Sequence, residues 1–163
     1  MTAFNNRTDG LTGLPVITKG DNLTIVTANG TANPGYDDAI DAASHFWRVF
    51  DVASGGSLAL ENVTLQNGRV TSPFPGATQE GGAIFNQGSL VLSELMIQNN
   101  SAQGWRGTAQ PAAGGGIWSD GTLTVENSTV FQGNSAFGGS GTYTTGGNAY
   151  GGRNLHRWRH RRH

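Results

Sequence analysis

The chain has no cysteine, so neither a disulfide framework nor a thiolate metal site can be built, and its redox compartment stays open. Charged residues are only 13% and hydrophobic residues 36%, both low for a globular protein. No apolar run is long enough to span a bilayer, and the opening MTAFNNRTDG lacks the apolar core of a signal peptide. Basic residues are scarce except in the last eleven positions, which hold Arg153, Arg157, Arg159, Arg161 and Arg162 and no acid. Without that stretch five basic residues face eleven acidic ones, a mildly acidic body with no electrostatic reason to bind nucleic acid.

What is present is glycine, 26 residues of it in 163, and a repeat. The segment GGAIFNQGSLVLSELMIQNNSA, from Gly81 to Ala102, returns as GGGIWSDGTLTVENSTVFQGNSA from Gly114 to Ala136. A fainter copy, GGSLALENVTLQNG, runs from Gly55 to Gly68. Leu58, Leu90 and Leu123 are thereby spaced at 32 and 33 residues. A repeat of that length is the mark of a stacked array, and phased apolar pairs argue against disorder over residues 14–150.

Each unit carries one apolar-x-apolar triplet (Leu58-x-Leu60, Leu90-x-Leu92, Leu123-x-Val125) and a second shortly after (Val63-x-Leu65, Leu95-x-Ile97, Thr129-x-Phe131). The last copy has one extra residue between its pairs, which predicts a bulge or widened corner. Asn67-Gly68, Asn99-Asn100 and Gly133-Asn134 then supply residues that tolerate the left-handed backbone of a sharp corner. A third strand is expected in 81–85 and 115–118. Period-two alternation turns one row inward, where aliphatic side chains of successive turns stack. No helical period lies between the strands, which excludes a βαβ unit, and an antiparallel sandwich gives no cause for repeated corners. The expected fold is all-β: a right-handed single-stranded parallel β-helix of three-sided coils over residues 14–150, with 69–80 and 103–113 as loops from one corner. Residues 14–17, 23–27 and 46–52 read as strands before the repeat, and 28–44 as a loop with room for one helical turn at 37–43. Residues 1–13 read as a frayed start and 151–163 as a basic tail.

Gly81-Gly82-Ala83-Ile84 and Phe131-Gln132-Gly133-Asn134 resemble the paired GGA(I/L/V) and FxxN motifs of chlamydial polymorphic outer-membrane proteins. Gly114–Ile117 and Ile97–Asn100 are variants of the same motifs, and FWRVFDVASGGSLALENVTLQNG resembles the early coils of such proteins. More broadly the chain is similar to bacterial secreted or surface proteins of the pectate-lyase-like β-helix superfamily. The resemblance covers residues 14–150 and implies export, surface display and a piece of a longer protein. It says little of function, because these motifs build coils rather than active sites. The tail GGRNLHRWRHRRH admits three readings: a basic arm, a tag-like addition, or the next repeat read out of frame. The third fits best, and it removes His156, His160 and His163 from consideration as ligands.

The acidic cluster Asp37, Asp38 and Asp41 offers hard oxygen ligands for Ca²⁺, with His45, Arg48 and Asp51 nearby as candidate catalytic groups. In pectate lyases carboxylates hold Ca²⁺ and an arginine can remove the proton; the likeness here is of residue type only. A polygalacturonase set of paired aspartates, Gly-His-Gly and Arg-x-Lys is missing. Ser44-His45 and Ser119-Asp120 come without the G-x-S-x-G elbow of a hydrolase. Trp105 and Arg106, in the Gly-rich stretch QGWRGTAQ, are the candidate exposed contacts for a glycan. A Thr-x-Thr ladder of the ice-binding kind fails, because Ala59 and Val91 stand where Thr124 does.

The residues thus lead to a structural or adhesin-like β-helix with a glycan or host-surface partner and no reaction specified. The alternative is a Ca²⁺-assisted lyase or hydrolase acting on carbohydrate. An uncapped last coil predicts self-association through its open end, or partial disorder after about residue 145.

Overall fold

A computed structural model describes residues 4–6, 10–27, 38–43, 45–71, 79–105, 107, 109–140, 149–150 and 154–156, with backbone alone at 4–6, 10 and 154–156. Strands, turns and bends account for them, with no helix among the described residues. An antiparallel pair, β1 (Phe4–Asn6) and β2 (Gly10–Thr12), comes first. A partial circuit of β3 (Asn22–Val26) and β4 (Ala39–Asp41) follows. The first full circuit holds β5 (Phe50–Val52), β6 (Ser57–Glu61), β7 (Thr64–Gln66), β8 (Arg69–Thr71) and β9 (Gln79–Glu80). The second holds β10 (Ile84–Asn86), β11 (Ser89–Ser93), β12 (Met96–Gln98), β13 (Ser101–Gln103) and β14 (Ala112–Ala113). The third holds β15 (Ile117–Ser119), β16 (Thr122–Glu126), β17 (Val130–Gln132), β18 (Ser135–Phe137) and β19 (Ala149–Tyr150), and β20 (Asn154–His156) opens the next.

Strands at the same place on successive circuits stack in parallel, giving the sheets β5-β10-β15-β20, β3-β6-β11-β16, β4-β7-β12-β17, β8-β13-β18 and β9-β14-β19. The fold is therefore a parallel β-solenoid of three full coils, all-β as the repeat predicts. Leu58, Leu90 and Leu123 fall in register, as do Leu60, Leu92 and Val125. Each coil carries five strands where the repeat suggests three. β8, β9 and β14 fall in the stretches 69–80 and 103–113 read as loops, whereas the sequence assigns nothing to β13 and β18; β8, β13 and β18 each turn a single residue inward (Val70, Ala102, Ala136), too little for an alternation signal. Similarly, β4 lies inside the stretch read as a loop, while 14–17 contributes only an isolated bridge from Ile17 to Val52.

The main core is the stack of inward rows, including Phe50 and Ile84, Leu60 and Leu92, Leu65 and Ile97. Each is 0 or 1% exposed in the middle coils, and burying such a side chain stabilises by about 1.5–3 kcal/mol. The corners repeat as faithfully as the core. Asn62, Glu94 and Asn127 have φ of 55, 55 and 50°, Asn67, Asn99 and Gly133 of 59, 55 and 64°. The extra residue of the last copy is absorbed at the first of these corners: Leu92 pairs with Val125 but Met96 with Val130. Gly81 and Gly114, the first glycines of the GGxI motif, turn the chain with φ of 67 and 59°. A Cβ on the following glycine, Gly82, would strike the Gly115 carbonyl oxygen of the next coil.

Polar ladders run beside the apolar rows. Asn100 is fully buried; its Nδ2 donates to the Leu65 carbonyl at 3.2 Å and to Asn134 Oδ1 at 2.9 Å, while its Oδ1 accepts Gly68 N–H at 2.8 Å. Asn134 repeats the pattern one coil on, donating to the Ile97 carbonyl at 2.7 Å. These bonds satisfy carbonyls that the sharp corner pulls out of the sheets, each contributing about 0.5–1.5 kcal/mol.

Candidate functional site

The acidic cluster separates once folded. Asp37 lies outside the described residues, and Asp38 is exposed, its carbonyl accepting Thr64 N–H at 3.1 Å. Asp41 stands at the end of a side-chain ladder. Its Oδ2 accepts Gln66 Nε2 at 2.8 Å, and its Oδ1 accepts Asn67 Nδ2 at 2.9 Å and Ala43 N–H at 2.7 Å. Gln98 Nε2 extends the row by donating to Gln66 Oε1 at 2.8 Å. Partial burial raises the Asp41 pKa, but the bonds from Asn67, Ala43 and Gln66 together outweigh it and hold the carboxyl below its ordinary value. Three of roughly four acceptor positions on this carboxylate are thus taken by protein donors. Among the described residues, no three His, Asp or Glu side chains are grouped to hold a metal ion.

His45, Arg48 and Asp51 do not converge either. His45 is exposed, its ring stacked on Trp47 with centroids 4.1 Å apart and planes 12° from parallel. Arg48 and Asp51 are buried and form an ion pair at 3.6 Å. The Arg48 guanidinium lies 4.8 Å from the Phe85 ring centroid, and Phe85 stacks on Trp118 at 4.7 Å. Asp51, Phe85 and Trp118 occupy the middle position of β5, β10 and β15, one register row. That row is buried, so the pair sits within a packed aromatic and cationic stack rather than beside a groove. Trp105 is half-buried, and Arg106 lies outside the described residues.

One exposed contact escaped the sequence. Phe46 precedes β5, is 52% exposed, and presents its ring to the Arg69 guanidinium at 4.8 Å. Arg69 is held by a 2.6 Å bond from its Nη2 to Gln103 Oε1 on the next coil, and its N–H donates to the Trp47 carbonyl at 3.0 Å. A pocket of about 200 Å³ opens here, walled by His45, Phe46, Arg69, Asn67, Asn99 and Ser101. It is smaller than the clefts of ~300–1,000 Å³ that bury whole small molecules, and suits one ring-sized group. The corner makes the pocket: Asn67 and Asn99 are left-handed turn residues, and Gly68 forms its floor. A Cβ there would strike the Gly82 carbonyl oxygen and come within 3.0 Å of Asn100 Oδ1. A signal existed in the sequence, since His45-Phe46-Trp47-Arg48 places three rings and a cation in a row just where alternation begins. Strand alternation alone assigns those rings to the core.

Chemically, the site offers an aromatic face, one fixed cation, amides and a hydroxyl. No protein-family model, curated protein or solved structure matches the chain.

Proposed function

We propose that this β-solenoid is a structural, adhesin-like part of a bacterial surface or secreted protein, and that it holds a glycan passively at the Phe46 corner. The observation that carries the reading is the half-exposed Phe46 ring beside Arg69 in a pocket edged by Asn67, Asn99 and Ser101. An aromatic plane stacks on the apolar face of a pyranose, while amide and guanidinium donors meet its hydroxyls. The likeness of the GGAI and FxxN motifs to those of surface proteins supports the setting. The Ca²⁺-assisted lyase or hydrolase draws less support, since Asp41 is engaged by three donors and Arg48 and Asp51 are buried together.

The test is titration of the chain with a panel of neutral oligosaccharides, repeated with Phe46→Ala. Binding weakened about tenfold or more in the variant, a loss of roughly 1.4 kcal/mol, is expected. Its thermal midpoint should stay within a degree or two of the parent, because the lost ring is half in solvent. Equal affinity in parent and variant, or no binding across the panel, would sink the proposal.

A further inference from the structure

Five basic residues lie outside the C-terminal stretch: Arg7, Lys19, Arg48, Arg69 and Arg106. Arg48 is buried and paired with Asp51. Arg69 differs from it. It is half-buried on β8, and among the described residues no carboxylate pairs with it. Its guanidinium is nevertheless fixed, with Nη2 donating to Gln103 Oε1 at 2.6 Å and the Phe46 ring centroid 4.8 Å from Cζ. Only one of its five N–H donors is spent on that amide, so the planar fork keeps donors for a two-point contact. The described residues that wall the pocket supply this cation, amides, a hydroxyl and two rings, and no acid. Asp41 stands behind Asn67, bonded to its Nδ2 at 2.9 Å, and shares its charge among three donors. Ordering a long cationic side chain costs rotamer entropy, and here a neutral acceptor orders it without cancelling its charge.

We propose that the sugar ring taken at the Phe46 corner carries an anionic substituent, a carboxylate or a sulfate ester, and that Arg69 is the residue that selects it. The proposal rests on the glycan reading of that corner and narrows it to one class of sugar. A guanidinium fork matches a pair of oxygens on either group, and such charge-assisted bonds are about twice as strong as neutral ones. Between two sugars of one skeleton the rings stack alike on Phe46, so the anion decides. Gln103 is a positioning residue that acts through Arg69. It stands on β13, one coil above β8, with Ser101 of the same strand paired to Arg69 in register. A glutamate at position 103 would keep the shape of the contact and neutralise the cation; the glutamine leaves the charge for a ligand.

The experiment titrates the full chain with matched sets built on glucose and on galactose: the neutral methyl glycoside, its 6-carboxylate and its 6-sulfate. Within the preferred skeleton a charged form should bind about tenfold tighter than the neutral one, and the preference should shrink as salt is raised. The tighter of the two charged forms identifies the group. Inorganic sulfate, which lacks the ring, should bind at least about tenfold more weakly than the charged sugar. Arg69→Gln and Gln103→Glu should both lose the preference while keeping the affinity for the neutral sugar. Gln103→Glu is close to isosteric and retains a partner for Arg69, so it tests the charge without endangering the fold. Equal affinity for neutral and charged forms, weakened in Phe46→Ala, overturns this proposal and leaves the glycan reading standing. A preference that survives both variants overturns it too, as does inorganic sulfate binding as tightly as the charged sugar. Failure of every sugar to bind would remove the glycan reading itself, and this proposal with it.

Discussion

At the scale of single residues, Asp41 is the instructive case. In sequence it is one of three clustered carboxylates; in the fold it ends an amide row by accepting Gln66, Asn67 and the Ala43 N–H. Its folded pKa lies below the ordinary 3.8. The stability it contributes is therefore present above about pH 3.8 and is lost as pH falls through the folded value. Thermal melts between pH 5 and 2 should show the midpoint falling faster in the parent than in Asp41→Asn. The difference is small, because an exposed carboxylate is screened by water. Asp21, whose pKa is lowered by the Thr18 hydroxyl and N–H, adds an acid-sensitive share that Asp41→Asn leaves in place. Superimposable pH curves for parent and variant would remove Asp41 from this role. Nothing in the residue spacing could reveal the ladder, since Asp41 and Gln66 meet only because β4 stacks on β7.

At the scale of elements, corners and strands were unequally legible. The corners between the second and third strands of each coil hold Asn62, Glu94 and Asn127, all left-handed. Asparagine accepts that conformation readily and glutamate does not. Glu94→Asn should accordingly stabilise the chain by about 0.5 kcal/mol, seen as a higher midpoint in urea at unchanged slope. A lower midpoint would mean that the Glu94 side chain makes a contact that outweighs its backbone strain. Strands with two inward aliphatics, such as β6 and β11, declare themselves by alternation. Strands with one small inward residue, such as β8 and β13, do not, because the coil rather than their own composition makes them pair. The same limit hid the Phe46 corner, whose partners Arg69, Asn99 and Gln103 come from two coils.

At the scale of the whole molecule, each coil touches only its neighbours, and stability is the sum of those contacts. The repeat made this architecture readable without any structure, while the binding surface depends on which loops and edges the coils leave uncovered. One consequence of the stacking is mechanical. Strands run across the solenoid axis, so the hydrogen bonds joining one coil to the next lie along it. Tension applied between the two termini loads those bonds singly at the outermost coil, and the chain should unzip rather than shear. Successive coils of 34, 33 and 37 residues (Phe50 to Ile84, Ile84 to Ile117, Ile117 to Asn154) then release roughly 110–125 Å of contour length each at about 3.4 Å per residue. A single-molecule extension trace would show low, evenly spaced steps of that size, and one abrupt release of the whole chain would mean that the coils yield together.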